Sequence, residues 1–413
     1  MFIKRQRRKL INIYREYRRS FWMLVFVTFV DRLGGALLFP FFALYITDKF
    51  KVGMTEVGVL FMLFSVSSFV GSVLGGALTD RVGRKSMLIF SLLASSFSTL
   101  AMGFVESLQA FYVLALVSGV FTDVGGPAHQ AMVADLLPEN KRAQGYGIIR
   151  VGFNLAVTIG PAIGGFLATQ SYLLLFVTDA IISSIVAALV YFTLPETKPK
   201  TRAGTNPESI AGTFHGYFRV LRDSTFMLFM GTCILMGLVY MNMNSTLGVY
   251  LRDVRGADTS GYGALLSINA AMVVFLQFPI TRRIEDRPPL LMMAAGTTLY
   301  AIGFAMYGFV AGNAMFVLAM VIITIGEMLV APVSQAVTAR LAPEDMRGRY
   351  MAIFGFSWTI PFAVGPLLAG LVLDNLNPDY LWYAAGIIGL LAALGFLYLQ
   401  RRAQMAAETT PVN

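Results

Sequence analysis

Gly75-Gly76-Ala77-Leu78-Thr79-Asp80-Arg81-Val82-Gly83-Arg84-Lys85 is a short charged interruption between two long apolar runs, Val57 to Ala77 and Ser86 to Val105. Each run has about the 20 residues that cross a bilayer core. The glycines let the backbone turn sharply, and Arg81, Arg84 and Lys85 hold the turn on the cytoplasmic side. The stretch therefore reads as a tight cytoplasmic hairpin joining two membrane helices.

The rest of the chain follows the same pattern. Of its 413 residues 56% are hydrophobic and only 13% charged, with a mean hydropathy of +0.68, outside the range of soluble domains. One cysteine, Cys233, excludes an intramolecular disulfide and any multi-cysteine metal site. His129 and His215 are too few for a histidine cluster, so no metal is expected. Apolar spans are predicted at roughly 21–47, 56–79, 86–105, 108–134, 143–169, 173–194, 223–251, 260–281, 289–311, 313–340, 348–373 and 379–400. The fold class is thus an all-α polytopic membrane protein of twelve transmembrane helices, with both termini on one side.

A net charge of +9 would suggest nucleic acid in a soluble protein. Here the cations are spread along membrane loops. Among 32 lysines and arginines, only Lys49, Lys51, Arg252 and Arg255 fall in the outer loops, and Arg32 and Arg150 fall inside spans. This asymmetry predicts cytoplasmic termini and excludes nucleic acid as a partner. Residues 1–20 form a basic amphipathic segment suited to the anionic inner leaflet. The polar stretch 195–222 is the one long linker; it separates residues 21–194 from 223–400, with 401–413 as the tail.

Those two halves are copies. At a constant offset of 205, Tyr45 falls on Tyr250, Asp48 on Asp253, Gly103-Phe104 on Gly308-Phe309, Pro127 on Pro332, Gln130-Ala131 on Gln335-Ala336, and Gly160-Pro161 on Gly365-Pro366. One register held across six spans predicts two pseudo-symmetric six-helix bundles.

The hairpin resembles the loop 2–3 signature of the major facilitator superfamily, G-x-L-x-D-R-x-G-R-K, through Gly76, Leu78, Asp80, Arg81, Gly83, Arg84 and Lys85. The resemblance implies the fold of that superfamily and a conformational latch, in which Asp80 caps the helix starting near Arg347 and a hairpin arginine pairs with Asp135. The second copy is degenerate, with Glu285 and Pro288 in place of Asp80 and Gly83. Gly160-Pro161-Ala162-Ile163-Gly164-Gly165, echoed by Gly365-Pro366, resembles the G-P-x-x-G-G signature of drug:proton antiporters. It also fits a plain packing motif in which proline bends the helix. One departure stands against that branch: many of its members carry an arginine four residues before a glycine such as Gly119, and here that position is Ala115.

Ionisable side chains inside spans are costly and persist where they pair or work. Asp31, Asp123 and Glu327 are candidate proton carriers, because desolvation favours the protonated carboxyl. For Asp31 and Asp123 a structural ion pair with Arg32 or Arg150 is the competing reading. Glu327 has no cation in its own span, and Gly326 to Pro332 resembles the G-E-x-x-x-x-P segment of some multidrug antiporters and peptide symporters. Asp179 reads as lying near the outer interface. Tyr45, Phe153, Tyr240, Asn242, Asn244, Asn269 and Trp358 are candidate cavity residues, of which Phe153 and Trp358 are equivalent under the repeat; any of them could equally be packing.

The expectation is a monomeric secondary transporter of the cytoplasmic membrane, exporting lipophilic or amphipathic compounds in exchange for protons, with the proton as coupling ion and no other cofactor. A proton-coupled symporter importing a peptide, sugar or organic ion, and a membrane sensor without flux, are the alternatives. No nucleotide loop, triad or metal constellation supports an enzyme.

Overall fold

The computed structural model describes residues 16–138, 141–198, 218–284, 286–343 and 346–409. Most of the basic N-terminal segment, most of the central linker with His215, Glu285, and the side chains of Asp80 and Arg347 lie outside it.

The helices are α1 (Arg19–Phe50), α2 (Met54–Val82), α3 (Arg84–Phe104), α4 (Leu108–Val124), α5 (Gly126–Leu136), α6 (Arg142–Gln170), α7 (Tyr172–Thr193), α8 (Ser224–Ser245), α9 (Leu247–Asp253), α10 (Thr259–Ile284), α11 (Pro289–Phe309), α12 (Asn313–Leu341), α13 (Arg347–Asn375) and α14 (Asp379–Thr409). Within the described residues, twelve candidate spans are long and apolar enough to cross a membrane, α4 and α5 together making the fourth. In hydrocarbon a helix satisfies its own backbone groups, so apolar residues can face outward without cost. Phe97, Phe192 and Phe275 accordingly stand at least three-quarters exposed.

Helix ends follow local chemistry. Ser107 and Ser171 accept backbone N–H bonds at the starts of α4 and α7, and Asp223 accepts two at the start of α8. Between α2 and α3 the break is a single residue, Gly83, with φ of 115°, a conformation that a side chain resists.

Pro161 lies inside an unbroken α6, and Pro361 and Pro366 inside an unbroken α13. The interruption falls instead at Gly125, two residues before Pro127, where the ring occupies the first turn of α5 and costs no hydrogen bond. The equivalent Pro332 follows Val330 and Ala331 and leaves α12 continuous.

Contacts divide the chain into two units. One contains the residues up to Phe39 with Leu63–Arg202, the other Pro40–Met62 with everything from Ala203. The packing boundary and the repeat boundary are therefore different things: residues 40–62 belong by sequence to the first copy and by contact to the second unit.

The first unit is centred on Phe21, Leu24, Val27, Met87, Ala128, Met132, Val133, Val186 and Val190. In the second, Trp382 is fully buried beside Tyr250, Phe304 and Tyr307. The Tyr250 hydroxyl shares its one proton between the Tyr307 carbonyl and Asp379, while Arg255 donates to both Tyr250 and Asp379. The repeat shows in matched packing: a Cβ at Gly103 would strike Leu173 and Phe176 of α7, and one at Gly308 would strike Tyr383 of α14. Cys233 is buried.

Residues 40–62 are held by close backbone contact. Asp374 Oδ1 and Oδ2 accept the Met54 and Thr55 N–H groups at 2.9 and 2.6 Å. A Cβ on Gly58 would lie 2.3 Å from Leu367 Cα, and one on Gly370 2.3 Å from the Met54 carbonyl oxygen. Phe61 meets Phe362 edge-on, and Arg252 donates to the Leu44 carbonyl and Thr47.

Candidate functional site

In the second unit, Glu327 of α12 is the focus. Tyr240 of α8 donates its hydroxyl to Oε1 at 3.0 Å, and Asn269 of α10 donates Nδ2 to Oε2 at 2.8 Å. The other Asn269 amide hydrogen goes to Thr324 Oγ1, whose own hydroxyl donates to the Met320 carbonyl. With Thr324 committed as donor, the amide orientation is fixed. Oε2 therefore always faces a donor. Oε1 faces a hydroxyl that can reverse from donor to acceptor, so a proton arriving on Glu327 has its place on Oε1. Tyr300 and Trp358 lie 5.5 and 5.9 Å from the Tyr240 ring, making an aromatic wall beside the acid.

Other cavity candidates are not gathered here. Asn242 is buried and donates to the carbonyls of its own helix, Leu238 and Val239. Tyr45 is buried with its hydroxyl accepting from Lys49, and Asn244 is partly buried. Phe153 lies under the Arg32 guanidinium at 5.7 Å.

In the first unit the hairpin is tied by the residues that follow α7. Arg84 is buried, and its Nε pairs with Asp135 Oδ2 at 3.3 Å. Thr197 donates to the same oxygen and Lys198 to the Arg81 carbonyl, while Lys85 lies over the Tyr191 ring. Gly76 opens on free space.

Glu196 caps α3 by accepting the Arg84 and Lys85 N–H groups at 2.9 and 3.2 Å, and Gly83 leaves it room. Burial pushes this carboxyl up, but N–H bonds from Lys198, Arg84, Lys85 and Thr197 outweigh it and hold the value below the usual range. The cap's stability is therefore present above the ordinary glutamate value and lost as pH falls through the lower folded value. Glu196→Gln is expected to lower the melting temperature in detergent at neutral pH and to flatten the acid limb of the profile, so that variant and wild type converge at low pH.

Asp31, Arg32 and Thr28 of α1 line a cavity of about 90 Å³ with Ser91, Ser95, Thr122, His129 and Ser183. Neither Asp31 nor Asp123 forms an ion pair with Arg32 or Arg150 among the described residues; Asp123 and Arg150 are partly buried. Thr28 donates to the Leu24 carbonyl and so accepts from His129 Nε2 at 2.7 Å, which places the proton on Nε2 and leaves Nδ1 as an acceptor. Sequence reasoning passed over His129; its place inside a span was the available signal. Asp179, seven residues past the start of α7, is turned into the protein. It is 8% exposed and faces α1.

The antiporter-like motif supplies close packing: a Cβ on Gly160 would lie 2.6 Å from Ala36 of α1, and Gly164 and Gly165 are buried. Gly365 and Pro366 are buried too, with only ordinary clearance around Gly365.

Twelve spans, a duplicated six-span half and acids held inside helices define a polytopic membrane transporter. A sequence model described as Major Facilitator Superfamily matches residues 24–335 and again 259–412, and the chain belongs to that superfamily. It is 27% identical to a Na(+), Li(+), K(+)/H(+) antiporter of Planococcus maritimus, over 93% of this chain and 96% of that one. It is 25% identical to the multidrug resistance protein MdtH of Shigella boydii, over 90% and 92%. A crystal structure of a POT family transporter in complex with 5-aminolevulinic acid superposes with a TM-score of 0.75 over 93% of this chain and 96% of the other. At 15% identity that likeness speaks for the fold alone.

Proposed function

We propose that this transporter is a proton-coupled antiporter of the cytoplasmic membrane, termini inside, exporting lipophilic or amphipathic compounds by alternating access. The observation that carries the reading is Glu327, held within a span by Tyr240 and Asn269 with one oxygen facing a reversible hydroxyl. Such a group takes and releases a proton without rebuilding its surroundings. Tyr240, Tyr300 and Trp358 offer flat apolar faces beside it, suited to bulky compounds and to cations through their π-electrons. The Planococcus relative, named an antiporter, supports antiport and extends the reading to alkali cations, and the MdtH relative, named for multidrug resistance, supports drug-like compounds. The proton is the coupling ion, the substrate a small molecule and the working form a monomer in the bilayer.

Uptake of a lipophilic cationic dye into inverted vesicles tests the direction of coupling. It is expected to rise when the lumen is acidic and to collapse with a protonophore. Stimulation by an alkaline lumen would instead identify a symporter. Purified protein in liposomes that moves no solute faster than empty vesicles would leave only the sensor.

A further inference from the structure

Asp31 on α1 and Asp179 on α7, both inside the first unit, have no hydrogen-bond or ion-pair partner among the described residues, as Asp123 on α4 also has none. Gly34 lies one helical turn beyond Asp31 on the same face, and a Cβ there would sit 2.6 Å from Asp179 Oδ1. The buried Asp179 carboxylate is thus aimed at the face of α1 that carries Asp31, and only a glycine leaves it room. Ser183, one turn along α7 from Asp179, lines the cavity of about 90 Å³ that Asp31 also lines.

Three hydroxyls of that cavity have committed their protons to backbone carbonyls: Thr28 to Leu24, Ser91 to Phe121 and Thr122 to Ser118. Their oxygens can act only as acceptors. His129 is bound to Thr28 through Nε2 and offers a bare nitrogen. Arg32 is the one cation among the lining groups, and its guanidinium lies over Phe153. Asp179 stands one turn beyond that lining; with both acids ionised, Asp31, Asp179 and Arg32 sum to one negative charge, which an apolar interior leaves uncompensated only at high cost. The volume admits a few waters, and a divalent ion would overshoot the charge.

We propose that Asp31 and Asp179, with the neighbouring hydroxyl oxygens, form a site for one small monovalent cation, Na+ or Li+, taken up as the pair gives up one proton. The proposal rests on the antiport reading and names a site for it. One positive charge leaves as one enters, so the net charge of the site is constant.

The test uses the purified full-length protein in detergent, weakly buffered with a pH indicator, titrated with NaCl or LiCl against choline chloride at equal ionic strength. Na+ and Li+ are expected to release protons and choline is not. Asp31→Asn and Asp179→Asn should each lower the sensitivity to Na+ by at least about tenfold, as should Gly34→Ala, which displaces the Asp179 carboxylate. Gly35→Ala, whose Cβ would meet open space, should behave as wild type. No release from the wild type, release that survives in both Asn variants, or equal loss in Gly35→Ala would overturn the site. Dye export measured on the same preparation separates the two ideas. Export without Na+-induced release removes the site alone; release without export supports the site and removes the export reading.

Discussion

Glu327→Gln is expected to abolish transport driven by a pH gradient, a loss of about 100-fold or more given what a positioned proton-transfer group contributes. Exchange of substrate across the membrane without a gradient should persist. The substitution keeps the shape of the side chain, and its amide oxygen can still accept from Asn269. It cannot carry a proton in one half of a cycle and none in the other. The comparison of gradient-driven uptake with counterflow in proteoliposomes therefore isolates coupling from binding and folding. Tyr240→Phe should give a smaller loss of the same kind, because Oε1 then lacks the hydroxyl that follows its protonation. Full gradient-driven uptake by Glu327→Gln would remove Glu327 from the coupling path.

The second large effect is expected at α13. Gly370→Ala should lower the melting temperature and cut transport at least about tenfold, because the new methyl would meet the Met54 backbone rather than a side chain able to move. Overpacking of this kind costs about 1–3 kcal/mol, against the roughly 1 kcal/mol that alanine gains over glycine in a helix. Gly355→Ala on the same helix supplies the control: its Cβ meets nothing within 4 Å, so only the helix gain remains and stability should hold or rise. Asp374→Ala is expected to be milder, about 0.5–2 kcal/mol, since it removes a cap without pushing the backbones apart. Equal melting temperatures for the two glycine variants would show that the contact of residues 40–62 with α13 carries no strain.

Much of this architecture could be read from the chain, because membrane helices are specified locally and a duplication repeats the specification. Spans, hairpin and register all rest on residues near one another in sequence. Glu327 was legible for a similar reason, being an acid alone in its span. Its partners were legible only as residue types. Tyr240 and Asn269 stood among seven aromatic and amide candidates, and nothing local separates them from Asn242, which spends its amide on its own helix. The burial of Asp179 was not legible, because the room for its carboxylate is left by Gly34, far away in sequence. Proline alone does not say where a span breaks: α6 runs through Pro161, whereas the Gly125-Gly126-Pro127 run ends α4.

The solitary thiol has a practical bearing on how all this can be watched. Cys233 is 1% exposed, so water-borne maleimides should pass it by. Reporter cysteines can then be placed on native protein without first engineering a background.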